Sequence, residues 1–488
     1  VKKSFIGYSL IWLILGAGLY TLVTWKWNVA AAAWLAPLFL IRFFREQQRW
    51  YATLPAVLLL WAGSYANKTG AWGMDPLVEV VLLGIAALPM GVALYADRWV
   101  VRKSHGFWAT LVFPAAFVAV DYAIGFLPIG TSLSLAPSQF YFQPLIQLAT
   151  LTGIWGFEFL VLWAGPVFNT LWEAGFDLRQ ARVLVMVYIL SLSVVLLFGG
   201  LRIVFARPVA PTVRVAGITV AHVRPYWDEI IDKGTPADVT RSFASEFQAI
   251  EDQLFAESET AARGGAKVIF WSEADAFLLP ERKDAFFQRA RDFAKQYQVY
   301  FMPAYQILRY GDISGFNGLT MITPAGEIAY DYEKTMTWYA TTSDGILHSV
   351  DTPYGRIGAV VCFDLDFPDL IHQAARQNVD ILLVPAYDTY QTRVYHTEVG
   401  LLRAVDYGFS VARMVNEGTS MAIDYRGQVL ASQDFFTTSP QVMNVDLPTR
   451  GVSTLYAQLG DGFAWLCAAY AVICGGIGLF RPARPVEA

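Results

Sequence analysis

Gly358-Ala-Val-Val-Cys-Phe-Asp364 is an apolar, partly β-branched run that ends in a thiol, with an acid two residues further on. Such a run reads as a buried strand that delivers Cys362 to its end. Cys362 is the only cysteine between residues 206 and 455, a stretch that otherwise reads as soluble, so it has no disulfide partner within its own domain. A lone thiol of this kind is either a small buried hydrophobe or a nucleophile. Two further strands bear on that choice. Val268-Ile-Phe-Trp-Ser runs into Glu273, and Ile328-Ala-Tyr-Asp-Tyr-Glu runs into Lys334. An acid, an amine and a thiol each terminating a strand is the placement expected of a catalytic constellation on rigid elements.

Outward from these strands the pattern alternates between α and β. Strands are expected at 212–223, 266–272, 298–304, 317–323, 327–332, 346–351, 356–362, 379–385, 409–415, 420–424, 428–432 and 441–446. Turn signals at Pro324-Ala-Gly326, Pro353-Tyr-Gly355 and Tyr425-Arg-Gly427 pair several of them as hairpins. Helices are expected at 238–263 behind an Asp238 N-cap, with Phe243, Phe247, Ile250 and Leu254 at helical spacing, and at 281–297, 367–377 and 391–406. Strands in the middle with helices outside predict layered sheets covered by helices.

The rest of the chain is a different material. Of 488 residues 55% are hydrophobic and 16% charged, against the roughly 25% charged of ordinary soluble domains. The excess lies in apolar segments at 5–24, 29–44, 52–67, 77–96, 108–124, 152–171 and 183–203, with an eighth at 462–480. Most approach the roughly 20 residues that cross a bilayer as helix. The expected organisation is seven spans in 1–205, an α/β domain in 206–455, and an eighth span with a short tail in 456–488. Lys2, Lys3, Arg42, Arg45, Arg49, Arg98, Arg102, Lys103, Arg179, Arg182, Arg481 and Arg484 fall on one side if eight spans alternate, whereas the opposite short loops carry only Lys26 and Lys68. The positive-inside rule then makes both termini cytoplasmic and the α/β domain extracytoplasmic. Trp25, Trp27, Trp50 and Trp72 stand near span ends, where interfacial anchors belong.

The chemistry of the three strand ends is coherent. A Cys362 thiolate attacks an acyl carbonyl, Glu273 takes and returns the proton, and Lys334 stabilises thiolate and tetrahedral oxyanion. The backbone N–H of Phe363 is a candidate second oxyanion donor. The order Glu, Lys, Cys on successive strand ends resembles the nitrilase, or carbon-nitrogen hydrolase, superfamily, and the resemblance implies an αββα sandwich with Glu273, Lys334 and Cys362 as its triad. With eight flanking spans the chain is similar to the apolipoprotein N-acyltransferase family. Ser138–Ala149 and Gly153–Glu158 resemble that family's extracytoplasmic loop, and Leu402–Asp406, Asn416–Gly418 and Thr454–Asp461 resemble its later motifs.

The resemblance implies a bacterial inner-membrane enzyme that takes an acyl chain from a phospholipid and passes it, through a cysteine thioester, to the amine of a lipoprotein or another acceptor. Three stretches depart from the family pattern. Lys334 is followed by Thr335-Met-Thr-Trp-Tyr-Ala-Thr-Thr-Ser343 instead of a long arm carrying a glutamate, Asp364 stands where the family has glutamate, and Pro385-Ala-Tyr-Asp-Thr-Tyr390 replaces an Asn-Asp-Ala-Trp-Phe segment. Trp338, Tyr339, Tyr387 and Tyr390 either rebuild an aromatic substrate entrance or simply pack. A membrane-anchored amidase or nitrilase, in which water resolves the thioester, and an inactive lipid-binding homologue are the other readings. No metal or other cofactor is expected, since His105, His222, His348, His372 and His396 lack ligand spacing. A net charge of −5 and the lack of a basic patch argue against a nucleic-acid partner.

Overall fold

A computed structural model describes residues 2–70, 76–104, 106–220, 224–337, 341–437 and 440–480. Trp72, His105, His222, Trp338, Tyr339, Arg481 and Arg484, together with the end of the strand expected at 212–223, lie outside the described residues. The chain divides into two compact units, Val1–Ala206 with Gln458–Ala488, and Arg207–Ala457.

The first unit is helical. Among the described residues, four helical segments are long and apolar enough to cross a membrane, at Pro76–Val101, Phe107–Ile124, Ile154–Glu173 and Leu178–Phe205, and shorter apolar helices run over Ser9–Thr21 and Gly462–Ile477. Helices also occupy Ala30–Glu46 and Leu54–Lys68. On Leu178–Phe205, Val183, Met186, Leu190, Val194 and Leu197 recur at helical spacing and are all more than half exposed. A stripe of that size is stable only against an apolar solvent or partner. The polar groups turn inward instead. Arg45 donates to both oxygens of Asp97 at 2.7 Å, Ser134 donates to Glu158 at 2.5 Å, and Asn169 donates to the Leu38 carbonyl at 2.8 Å. This is the internal satisfaction that a hydrocarbon surrounding demands.

The second unit is a sandwich of two sheets. One has the order Gln441–Pro448, Thr212–Thr219, Val268–Trp271, Tyr300–Met302, Asp312–Ile322, Ala304–Arg309 and Ala276–Leu278, with Ile328–Glu333 also paired to Asp312–Ile322. The other has the order Val429–Asp434, Thr419–Ile423, Ser410–Asn416, Ile381–Tyr387, Gly355–Ala359 and Ser349–Thr352. Ile381–Tyr387 is parallel to both neighbours, and its first six residues are buried, which explains an unbroken apolar run where a one-faced strand would alternate. The sheets meet at Gly217, where an added Cβ would lie 3.0 Å from Met414, and at Asn416, whose amide donates to Thr219 and Asp275 at 2.9 and 2.7 Å.

Helices cover both outer faces. Phe247, Ile250, Leu254 and Phe255 of Ala244–Arg263, with Phe286, Ala290 and Phe293 of Lys283–Tyr297, pack on Ile218, Ile269, Trp271 and Phe301 of the first sheet. Each such fully buried side chain contributes about 1.5–3 kcal/mol of transfer free energy. Pro368–Arg376 and Tyr395–Tyr407 lie on the second sheet's side, the latter hydrogen-bonded from Thr397 to the Thr419 carbonyl.

The helix expected at 238–263 is broken into Ala237–Ser242 and Ala244–Arg263. Asp238 sits inside the first turn with Pro236 at the cap position, because Pro236 already fixes where the chain enters the helix. The strand expected at 298–304 is two strands, and Ala276–Leu278, three residues long, is too short to carry a period.

Tyr395–Tyr407 ends on Gly408 at φ +83°, whose N–H caps the Ala404 carbonyl at 2.9 Å while its own carbonyl accepts from Val452 at 2.7 Å. A Cβ there would sit 1.9 Å from the Val452 oxygen. Gly408→Ala is therefore expected to destabilise the unit by at least about 2 kcal/mol, lowering Tm by about 4 °C or more in detergent-solubilised protein. A Tm within about 1 °C of the parent would show that the helix end can move.

Candidate active site

Glu273 leaves the first sheet two residues after Val268–Trp271 and is 4% exposed. Its Oε1 accepts from Lys334 Nζ at 2.6 Å and from Asn317 Nδ2 at 2.7 Å, and its Oε2 accepts from the Tyr387 backbone N–H at 3.0 Å. One hairpin supplies two of these donors. Asp312–Ile322 pairs with Ile328–Glu333, and the Lys334 N–H continues the ladder onto the Asn317 carbonyl at 2.9 Å. Asn317 carries no signal in the sequence, since an asparagine within a strand resembles any solvent-facing polar residue.

Cys362 comes three residues after the end of Gly355–Ala359 and opens a short helical turn, Cys362–Asp366, so the strand expected at 356–362 stops early. Its backbone lies at φ +50°, a conformation that costs a non-glycine residue roughly 1 kcal/mol or more and lifts the side chain out of the strand's alternation. The Sγ donates to the Tyr387 carbonyl at 3.4 Å. Burial pushes the thiol well above its ordinary pKa, with the Glu273 charge adding to the rise and Lys334 opposing it. The resting group is thus a neutral thiol that needs a base at the moment of attack, and Glu273 and Lys334 act on it electrostatically ahead of Asp388 and Arg413.

Asp364, completely buried, joins the segment after Lys334 to the cysteine turn. It accepts from Met336 N at 2.6 Å, Thr335 N at 3.2 Å, Tyr332 Oη at 2.7 Å and Val361 N at 3.2 Å. Burial raises its pKa to about 6, with the Met336 N–H, Lys334 and Tyr332 pulling the other way.

A second charged group lies against the thiol. Cys362, Asp388 and His396 bring ligand-type atoms within 4.8 Å of one another. His396 Nδ1 lies 2.6 Å from Asp388 and Nε2 3.0 Å from Asp366, while Arg413 donates to both Asp388 oxygens at 2.8 and 3.0 Å. Asp366, Asp388, His396 and Arg413 come from four separate parts of the chain, which is why spacing could not reveal them.

The remaining expected residues divide. Phe363 is buried, with its ring 5.2 Å from Phe367 and 6.1 Å from His396. Tyr387 frames the site through its backbone N–H and carbonyl, while its hydroxyl donates to Glu417 at 3.0 Å. Tyr390 is 56% exposed and packed on Phe436 at 5.2 Å, with the Arg393 guanidinium 3.7 Å over its ring.

With this geometry in hand, the comparisons with known proteins are specific. Residues 227–453 match the carbon-nitrogen hydrolase family model. An apolipoprotein N-acyltransferase of Geobacter metallireducens is 25% identical over 87% of this chain and 85% of its own length. One of Thermotoga maritima is 22% identical over 99% of this chain and 92% of its own. Among solved structures, an amidase from Nesterenkonia sp. is 17% identical, covering 53% of this chain and 96% of its own at a TM-score of 0.38. The curated matches run through the apolar unit as well as the sandwich, so the likeness to apolipoprotein N-acyltransferases extends over most of the chain, with a carbon-nitrogen hydrolase domain at 227–453.

Proposed function

We propose that the protein is a membrane N-acyltransferase that moves an acyl chain from a phospholipid to the N-terminal amine of a lipoprotein through a thioester on Cys362. The observation that carries this reading is the Glu273–Lys334 pair, 2.6 Å apart, acting on a buried thiol in a chain matched by N-acyltransferases through its apolar unit. The topology that goes with it has eight spans, cytoplasmic termini, boundaries near 205 and 456, and the sandwich on the extracytoplasmic side of a bacterial inner membrane, in keeping with the basic loops.

In the first step the Cys362 proton passes to Glu273 and the thiolate adds to the ester carbonyl. Lys334 stabilises the oxyanion, a contribution of the size that single oxyanion donors make, about 10²–10³ in rate. Collapse expels the lysophospholipid alkoxide, which takes the proton from Glu273. In the second step the acceptor amine adds to the thioester, Glu273 removes its proton, and the thiolate leaves and is reprotonated. Tyr387 belongs to this machinery through its backbone: its N–H fixes the base and its carbonyl aims the thiol. Confining a two-chain donor to the bilayer raises its effective concentration.

Incubation of purified protein with phospholipid is expected to give an acyl adduct by intact mass, absent in Cys362→Ser and discharged by a diacylated lipopeptide. Discharge by water alone, unaffected by the lipopeptide, would turn the reading to a membrane-anchored hydrolase, and no adduct on an intact thiol would leave an inactive lipid-binding homologue.

The rate of adduct formation should also depend on Asp364. Its carboxylate is the form that four donors require. Because its pKa is raised to about 6, the ionised form prevails above that pH and is lost as pH falls through it. Adduct formation is expected to drop on the acid side near pH 6, and Asp364→Asn, which sets an amide against these donors, is expected to be about ten-fold slower or worse at every pH and to lack that limb. An Asp364→Asn profile that keeps both rate and limb would remove Asp364 from the machinery.

A further inference from the structure

We propose that His396 is a positioning residue for the nucleophile: as an imidazolium held between Asp366 and Asp388, it clamps the Cys362 turn to the Tyr387 loop and keeps the carboxylates beside the thiolate in charge balance.

The ring's two contacts with carboxylate oxygens, the shortest it makes, each call for an N–H donor. Nδ1 faces Asp388 at 2.6 Å and Nε2 faces Asp366 at 3.0 Å. A neutral imidazole has one N–H and would leave its bare nitrogen against a buried carboxylate. Asp366 and Asp388 are both nearly inaccessible, and the His396 side chain is 16% exposed. With both N–H groups committed, the ring has no proton to offer a substrate, so it works through its neighbours.

Those neighbours are the two arms of the site. Asp366 closes the same five-residue turn that Cys362 opens. Asp388 follows Tyr387, whose carbonyl takes the thiol and whose N–H holds Glu273. His396, in the first turn of Tyr395–Tyr407, ties one arm to the other while Cys362 sits at φ +50°. The groups facing the ring are Cys362 and Asp366 from the turn, Asp388 from the loop and Arg413 from Ser410–Asn416, whose Nη2 is 3.1 Å from Nδ1. Two carboxylates and two cations balance. Without the imidazolium charge the set carries −1 beside a forming thiolate, and a like charge at that range opposes ionisation. Burial lowers the ring's pKa, but Asp388 and Asp366 outweigh it and hold the group at about 9, so the clamp is intact at neutral pH and fails as pH rises through about 9.

The test reads the thiol directly and needs no acyl donor, so it stands apart from the proposed transfer reaction. In full-length detergent-solubilised protein carrying Cys467→Ala and Cys474→Ala, Cys362 is alkylated with iodoacetamide and followed by intact mass, with Tm as the folding control. His396→Gln is expected to react about ten-fold more slowly than the parent near pH 8, the effect of roughly one unit in thiol pKa. His396→Gln combined with Asp366→Asn removes the uncompensated charge and is expected to recover to within about three-fold of the parent. In the parent the logarithm of the rate should rise by less than one per pH unit above about pH 9, and the double variant should lose that flattening. Parent-like alkylation by His396→Gln, or a folded double variant no faster than His396→Gln alone, would overturn the proposal and leave the ring a packing element.

Discussion

The Glu273 carboxylate is the point on which the candidate site depends. It accepts from Lys334 and Asn317 on the first sheet's hairpin and from the Tyr387 N–H at the end of a strand in the second sheet. A buried carboxylate without donors would carry a desolvation penalty of several kcal/mol, so these three bonds make its ionised form tenable. They also fix the two sheets against each other where the thiol must meet its base. The thiol lies on the same residue, at the Tyr387 carbonyl. The backbone of one residue thus sets the distance between nucleophile and base, while the Tyr387 hydroxyl donates to Glu417.

The strands that end in Glu273, Lys334 and Cys362 were legible because their chemistry interrupts apolar runs, and a period or its interruption is visible in a linear sequence. The geometry that joins them was not. Asn317, Asp388, His396 and Arg413 lie in four parts of the chain whose register depends on sheet pairing, and no local spacing encodes that pairing. The apolar unit was visible from composition. Its internal pairs, such as Arg45 on Asp97, were not, since Arg45 reads equally well as a basic loop charge. The aromatic residues were the least legible. An aromatic side chain can line an entrance, pack, or only carry a useful peptide group, and Tyr387 and Tyr390 fall on different sides of that division.

The short segment after Lys334 has a physical counterpart in Asp364. Thr335 and Met336 bring consecutive N–H groups onto one carboxylate. Thr341 returns to the Lys334 carbonyl at 2.9 Å, and Ser343 meets the Thr335 hydroxyl at 2.8 Å. The chain therefore folds back on the hairpin end instead of leaving it. The short Asp364 carboxylate suits a partner drawn this close, because a glutamate, one methylene longer, would need space that a fully buried position lacks.

Charge accounting explains how so many ionisable groups coexist around a neutral thiol. Glu273 is paired with Lys334, Asp388 with Arg413, and Asp366 with His396, which leaves Asp364 as the one carboxylate among these held by neutral donors alone. Each pair is buried, where Coulombic attraction serves mainly to offset desolvation and adds little net stability. Their effect falls on Cys362 instead. Burial keeps the thiol protonated at rest, and the pairing sets Lys334 and Arg413 against the repulsion of Glu273 and Asp388 when a thiolate forms. The asymmetry lies in which pair can exchange protons: Glu273 has an oxygen shared with an ammonium that also suits an oxyanion, whereas Asp366 and Asp388 are locked onto a ring and a guanidinium. The first pair is built to move a proton and the second set to stay still, and the nucleophile needs both.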